Sequence, residues 1–143
     1  MSEIKIKKWL EKYNFDVNLD YDDDFAYDIE QNTIIIGLEE YPLANKYFQQ
    51  FLYEYGLKYL DIDDDILSFL HELGHMVTLK SFSQTELKLF RFMKESDEND
   101  KDSQKKYYHY WSVPDEFAAN IWAINFINAH IDAIGELCEA WGA

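Results

Sequence analysis

Asp64-Asp65-Ile66-Leu67-Ser68-Phe69-Leu70-His71-Glu72-Leu73-Gly74-His75-Met76-Val77 is the stretch on which the fold turns. Ile66, Leu67, Leu70, Leu73 and Val77 recur at helical spacing, and the acidic cluster Asp61, Asp63, Asp64 and Asp65 suits the positive end of a helix dipole. The stretch therefore predicts a helix with His-Glu-Leu-Gly-His inside it. Side chains four apart lie one above the other, so His71 and His75 project from one face, while Glu72 is turned about 100° away. Gly74 costs the helix about 1 kcal/mol relative to alanine, which calls for a packing reason such as the close approach of another backbone.

Working towards the N-terminus, Pro42 suits a first helical position and Gly56 a helix end, with Leu43, Tyr47, Phe48, Phe51, Leu52 and Tyr55 on one face between them. Before that helix, Phe15, Val17, Leu19 and Tyr21 alternate with polar residues. Tyr27, Ile29 and Thr33-Ile34-Ile35-Ile36 flank the turn pair Gln31-Asn32, and Gly37 ends the last strand, which together predicts a small antiparallel meander. Ser2 can cap a first helix through Ile6, Trp9, Leu10 and Tyr13.

Working towards the C-terminus, Ser83 and Glu86 have capping-box spacing for a helix through Leu87, Phe90 and Met93. The polar stretch from Glu95 to Lys106 reads as a mobile loop, followed by the aromatic run Tyr107-Tyr108-His109-Tyr110-Trp111. Ser112 and Pro114 start a helix along Phe117, Ile121, Ile124 and Phe126, and a last helix runs from Ile131 towards Trp141. The expected fold class is α+β, a small antiparallel sheet packed with five to six helices. Residues 1–143 form a single expected domain, with no internal repeat and no linker.

Two imidazoles and a carboxylate on such a helix form the HExxH pattern of zinc sites. Neutral imidazole and carboxylate are good zinc ligands, and the glutamate acts as general base towards a water that the ion activates. One zinc ion is the expected cofactor, with Glu72 as the catalytic base. A third protein ligand is needed, and Glu116 in the helix that starts near Pro114 is the candidate, with Asp115 as the alternative. Asn120, one turn after Glu116, could accept a hydrogen bond from the outer nitrogen of a ligand histidine and fix its tautomer. The developing oxyanion needs a donor, and the aromatic run offers His109, Tyr107, Tyr108 or Tyr110, with His109 preferred. His130 reads as a helix-end histidine. Thr33–Ile36 could present an edge to which an extended peptide adds as a strand.

Asp61, Asp63, Asp65 and Glu72 also match positions one, three, five and twelve of an EF-hand loop. Ile66 stands where a glycine must make the sharp turn, and Leu67, Phe69 and Leu70 fill the supposed loop, so calcium binding there is excluded.

The chain has 143 residues, 48% hydrophobic and 17% aromatic, which is enough for one buried core. Its 28 acidic residues against 13 basic ones give a net charge of −15, which opposes direct nucleic-acid binding and favours cations or basic protein partners. Cys138 is the single cysteine, so no internal disulfide forms. The absence of a signal-like start points to the cytoplasm, and no apolar stretch reaches the roughly 20 residues of a membrane span.

His71-Glu72-Leu73-Gly74-His75 after a small sheet, followed by Glu116-Phe117-Ala118-Ala119-Asn120-Ile121-Trp122-Ala123, resembles the ImmA/IrrE family of minimal zinc metallopeptidases. The family's downstream helix commonly reads E-x-E-A-N-x-F-A. Matching Ala119-Asn120 to its A-N pair puts Glu116 at the first acidic position and Trp122-Ala123 at the aromatic-small pair. Ala118 stands where a second acidic residue is common. The resemblance spans roughly Tyr27 to Phe126 and rests on these two motifs. It implies a cytoplasmic peptidase, associated with mobile elements, whose substrate is a helix-turn-helix transcriptional repressor. Two other classes compete with it: a zinc-containing regulator that binds a partner without cutting it, and an acidic mimic of nucleic acid.

Overall fold

The alternation of helical and strand periods gives an α+β architecture in the computed structural model, which describes residues 2–95 and 103–142. Helix α1 (Glu3–Lys12) starts on Ser2, whose hydroxyl accepts the Lys5 amide at 3.3 Å, and it buries Ile6, Trp9 and Leu10. Trp9 is more than an apolar contact. Its indole N–H donates to the Ala133 carbonyl at 2.8 Å in α7 (Ile131–Ala140), which ties the first helix to the last.

The sheet comprises β1 (Asn18–Asp22), β2 (Ala26–Asp28) and β3 (Thr33–Gly37) in the order β1-β3-β2. β2 and β3 form the expected antiparallel hairpin, but β1 runs parallel to β3, so the sheet is mixed and the meander is corrected. Residues 23–25 carry the chain across the end of β3 to the far edge. Gly37 makes room for this crossing, since a Cβ there would sit 2.5 Å from the Phe25 amide nitrogen and 2.9 Å from the Asp24 carbonyl carbon. The amides of Leu38 and Glu39 then bond back to the carbonyls of Asp22 and Asp23 at 2.9 and 3.0 Å. Consequently β3 is the central strand and β2 an edge.

Helix α2 (Pro42–Glu54) buries Phe48, Phe51 and Leu52, while Leu43 and Tyr55 of its expected apolar face are exposed; the chain leaves it through Gly56, whose φ of +114° suits glycine. Helix α3 (Asp64–Thr78) is capped by Asp63, whose carboxylate accepts the Asp65 amide at 2.9 Å. A 3-10 turn, Leu79–Ser81, leads to α4 (Gln84–Glu95), where Ser83 and Glu86 form the reciprocal capping box.

Two expectations change in the next segment. Residues 103–106 of the supposed loop are helical, and the aromatic run lies inside α5 (Ser103–Ser112) instead of preceding a helix; residues 96–102 fall outside the described residues. Helical spacing lets Tyr107 stack on Trp111 at 5.4 Å and puts Tyr108 and Trp111 against Phe51 of α2. Helix α6 (Pro114–Ala129) follows at once, so the described residues contain seven α-helices where five to six were expected.

Helix α3 is the hub of the fold. Ile66, Leu67, Phe69, Leu70 and Leu73 are fully or almost fully buried, in one cluster with Ile34 and Ile36 of β3 and Ile124 and Ile127 of α6. Among the described residues, no helix is long and apolar enough to cross a membrane.

Candidate metal centre

Helix α3 carries His71 and His75 one turn apart on one face, with ring centroids 4.6 Å from each other. Helix α6 crosses this helix at Gly74. A Cβ on Gly74 would lie 2.5 Å from the Ala119 carbonyl oxygen and 3.0 Å from its Cα, so glycine is required for the two backbones to touch. That contact answers the packing question raised by a mid-helix glycine. It also brings the first turn of α6 over the imidazoles, and Glu116 Oε1 lies 3.0 Å from His71 Nε2 and 3.1 Å from His75 Nε2. Asn120, one turn on, places Oδ1 2.6 Å from His71 Nδ1.

The hydrogen bonds fix the proton on His71 Nδ1. The Asn120 amide nitrogen donates to the Trp111 carbonyl at 3.4 Å, so its oxygen faces His71, and His71 Nδ1–H is the donor. A neutral His71 then has only a lone pair at Nε2, pointing at a carboxylate oxygen. Two acceptors 3.0 Å apart repel each other unless the ring is protonated or a cation lies between them. Two imidazole nitrogens and one carboxylate oxygen meeting at a point are a donor set that suits zinc. Bonds of ~2.0–2.1 Å in a tetrahedral arrangement need neighbouring donors ~3.3 Å apart. The gap thus has to widen by only a few tenths of an ångström.

Charge at the site follows from burial and proximity. Burial alone would lower the His71 pKa, but the Glu72 carboxylate and the contacts to Glu116 and Asn120 outweigh it and push it up to about 9. For Glu116, burial works to raise the pKa, and the bonds to both histidines overcome it and hold the carboxyl well below the ordinary range. Glu72 is the opposite case, since burial raises its pKa against the pull of the two histidines. A ligand atom of Glu72 lies within 4.8 Å of those offered by both histidines, so two carboxylates are within reach of an ion. Glu116 is the one whose single oxygen contacts both Nε2 atoms.

No family model matches the chain, and comparison with curated proteins and with solved structures returns no match either.

The site opens into a cleft of about 420 Å³ lined by His71, Glu72, His75, Glu116, Tyr110 and the edge strand through Ala26 and Tyr27. The edge offered to this cleft is β2, not the central strand Thr33–Ile36, which is already paired on both sides. His109 is exposed on α5 and does not line the cleft, whereas its neighbour Tyr110 does. Burial, followed by the charges of Glu116, Glu72 and Asp115, pushes the Tyr110 phenol up, so it remains protonated and can donate. Tyr107 and Tyr108 pack towards α2, and Tyr108 donates to Glu54 at 3.2 Å. Asp115 bonds the Glu116 amide at 2.9 Å, and His130 packs on Phe126 where α6 ends.

Lys94 is the addition that sequence reasoning missed. From the last turn of α4 its ammonium donates to Asp115 Oδ2 at 2.8 Å and to Glu116 Oε2 at 2.7 Å, and it lies 5.4 Å from the centre of the Tyr110 ring. A lysine near a helix C-terminus ordinarily reads as a solvated charge. The available signal was indirect: adjacent acids Asp115 and Glu116 on a helix with an apolar body need a cation once buried.

Proposed function

We propose that the chain is a zinc-dependent peptidase in which His71, His75 and Glu116 hold the ion and Glu72 is the general base. The observation that carries this reading is the contact of one Glu116 oxygen with both histidine Nε2 atoms, beside a cleft that Glu72 also lines. Zinc bound there would supply Lewis acidity, polarising a peptide carbonyl and acidifying the attacking water.

The residues of the chain do the rest. Glu72, with its basicity raised by burial, accepts the proton of the attacking water and passes it to the departing amine nitrogen. Tyr110 donates its phenolic hydrogen to the carbonyl oxygen as charge accumulates there. Asn120 holds the His71 ring in one orientation through Nδ1, leaving Nε2 as the donor atom. The outer edge of β2, beside the cleft at Ala26 and Tyr27, supports an extended substrate that pairs with it as an additional strand. By the resemblance to ImmA/IrrE peptidases we extend the proposal to a regulatory protein of the repressor class as substrate.

The test combines metal analysis with cleavage of a mixed peptide library by the wild-type chain, Glu72→Gln and Glu116→Ala, purified without chelator. Wild type and Glu72→Gln should carry stoichiometric zinc, with cleavage reduced by about 10²–10⁴-fold in Glu72→Gln. Glu116→Ala should lose the ion. Zinc retained by Glu116→Ala would remove Glu116 from the ligand set, and a wild-type chain without zinc would remove the whole reading. A biological effect that survives Glu72→Gln would make the chain a zinc-containing binding protein.

A further inference from the structure

Glu116 has two oxygens, and the fold treats them differently. Oε1 faces the histidines, while Oε2 is held at 2.7 Å by the Lys94 ammonium, which also donates to Asp115 Oδ2 at 2.8 Å. Lys94 is largely sheltered, with 18% of its side chain exposed, and Glu116 is almost fully buried. A charge-assisted bond in such surroundings is strong and directional. A carboxylate can give an ion one oxygen or two, and the second is available only if nothing else holds it. Asp115 sits in the first turn of α6, where its Oδ1 accepts the Glu116 amide at 2.9 Å. Thus the backbone of α6, Asp115 and Lys94 form a chain of contacts that ends on the oxygen turned away from the imidazoles.

We propose that Lys94 is a positioning residue that makes Glu116 a one-oxygen ligand, by occupying Oε2 and so limiting the number of protein donors around the ion. This rests on the metal-site reading above and adds to it a role for a helix that contributes no ligand. Limiting the donors keeps a coordination position open for substrate and water, as a catalytic zinc site requires. Without the ammonium, Oε2 is free to turn towards the ion. The site then becomes more crowded without losing any of its ligands.

Cobalt(II) is the probe, because its visible absorption weakens as the coordination number rises and can be read without any substrate. The full-length wild-type chain, Lys94→Met and Lys94→Arg are each stripped of metal and titrated with cobalt. All three should bind one ion, with intense bands in the wild type, bands weakened several-fold in Lys94→Met, and recovery in Lys94→Arg, whose guanidinium can take up the same oxygen. A Lys94→Met spectrum identical to wild type overturns the proposal. So does complete loss of cobalt from a folded Lys94→Met chain, since Lys94 would then be holding the helices together instead of setting how Glu116 binds. If Lys94→Met does not fold, Asp115→Asn takes its place. It loosens the ammonium while keeping it, and should weaken the bands part-way; unchanged bands overturn the proposal. A wild-type chain that binds no cobalt fails the metal-site reading itself, which separates the two failures.

Discussion

Helices α3 and α6 meet backbone to backbone, whereas α4 and α5 reach the same site through side chains, Lys94 on the Glu116 carboxylate and Tyr110 on the wall of the cleft. At the first contact a missing Cβ on Gly74 sets how closely the helices approach, and three groups converge on one point: two histidines and Glu116. At the second, Lys94 and Tyr110 extend from helices whose outer faces are open; Leu89 and Phe92 of α4 are 55% and 69% exposed. The difference teaches where precision is located. Donor atoms that must converge within tenths of an ångström stand on the most buried pair of helices, and Lys94 and Tyr110, which act on them from outside, stand on the periphery.

The strongest way to break this contrast is Gly74→Ala. Overpacking ordinarily costs about 1–3 kcal/mol, and here the added methyl meets backbone, which cannot rotate away. Alanine returns about 1 kcal/mol of helix propensity, so with a cost at the upper end of that range a net loss of about 2 kcal/mol should appear in urea unfolding. Zinc affinity should fall with it, because Glu116 moves away with α6. A Gly74→Ala chain that is as stable and as metal-competent as wild type would show that backbone contact does not position the ligands.

Proton competition gives the next effect. His71 has a folded-state pKa raised to about 9, so in the metal-free chain its charge contributes stability that is fully present below about 6.5 and lost as pH rises through about 9. Glu116 has its pKa depressed, so its contribution is present above the ordinary carboxylate value and lost only in strong acid. Melting temperatures in chelator should therefore fall between about pH 6.5 and 9, by an amount worth a few kcal/mol. With zinc the ion replaces the proton, and the fall should disappear. A metal-free chain whose melting temperature is flat across this window would remove the imidazolium–carboxylate contact.

How much of this was legible depends on which interactions leave a periodic trace. The α3 helix, its two histidines, the close approach at Gly74 and the Asn120 partner all follow from spacing along one helix or from the start of another, because helix geometry is local. The parallel pairing of β1 leaves no such trace. Phe15, Val17, Leu19 and Tyr21 would alternate in the same way in either orientation, and the crossing over Gly37 is decided by strands apart in sequence. The helical setting of the aromatic run is masked in the sequence because the polar residues before it hide the start of α5, although Tyr107 and Trp111 stand four apart. Lys94 was invisible for a related reason, since its partners lie 21 and 22 residues further along, on another helix.

Asn120→Ala sharpens the contrast from inside the buried pair. Removing the acceptor 2.6 Å from His71 Nδ1 should reduce zinc affinity by about 10–100-fold. His75 has no equivalent partner among the described residues, where its Nδ1 is buried without a hydrogen bond. Competitive chelator titration should then show His71→Ala and Asn120→Ala affecting affinity non-additively, as expected for groups acting through one another. Additive effects would mean that Asn120 supports α6 without orienting the ring.

The smallest expected effect belongs to the periphery. Ser83 accepts the Glu86 amide at 3.1 Å while Glu86 accepts the Ser83 amide at 3.0 Å, a capping box at the exposed start of α4. Ser83→Ala should destabilise the chain by about 1 kcal/mol, with fraying confined to the first turn. Lys94 stands at the opposite end of the same 12-residue helix, about 15 Å away along its axis. Its ammonium is held by two carboxylates of α6, so the site end of α4 is anchored independently of the cap. The cobalt spectrum of Ser83→Ala should accordingly match wild type even as urea unfolding shifts. If the spectrum moved with the cap, α4 would transmit its own stability to the ligands, and the division between a precise buried pair and an adjustable periphery would have to be redrawn around three helices.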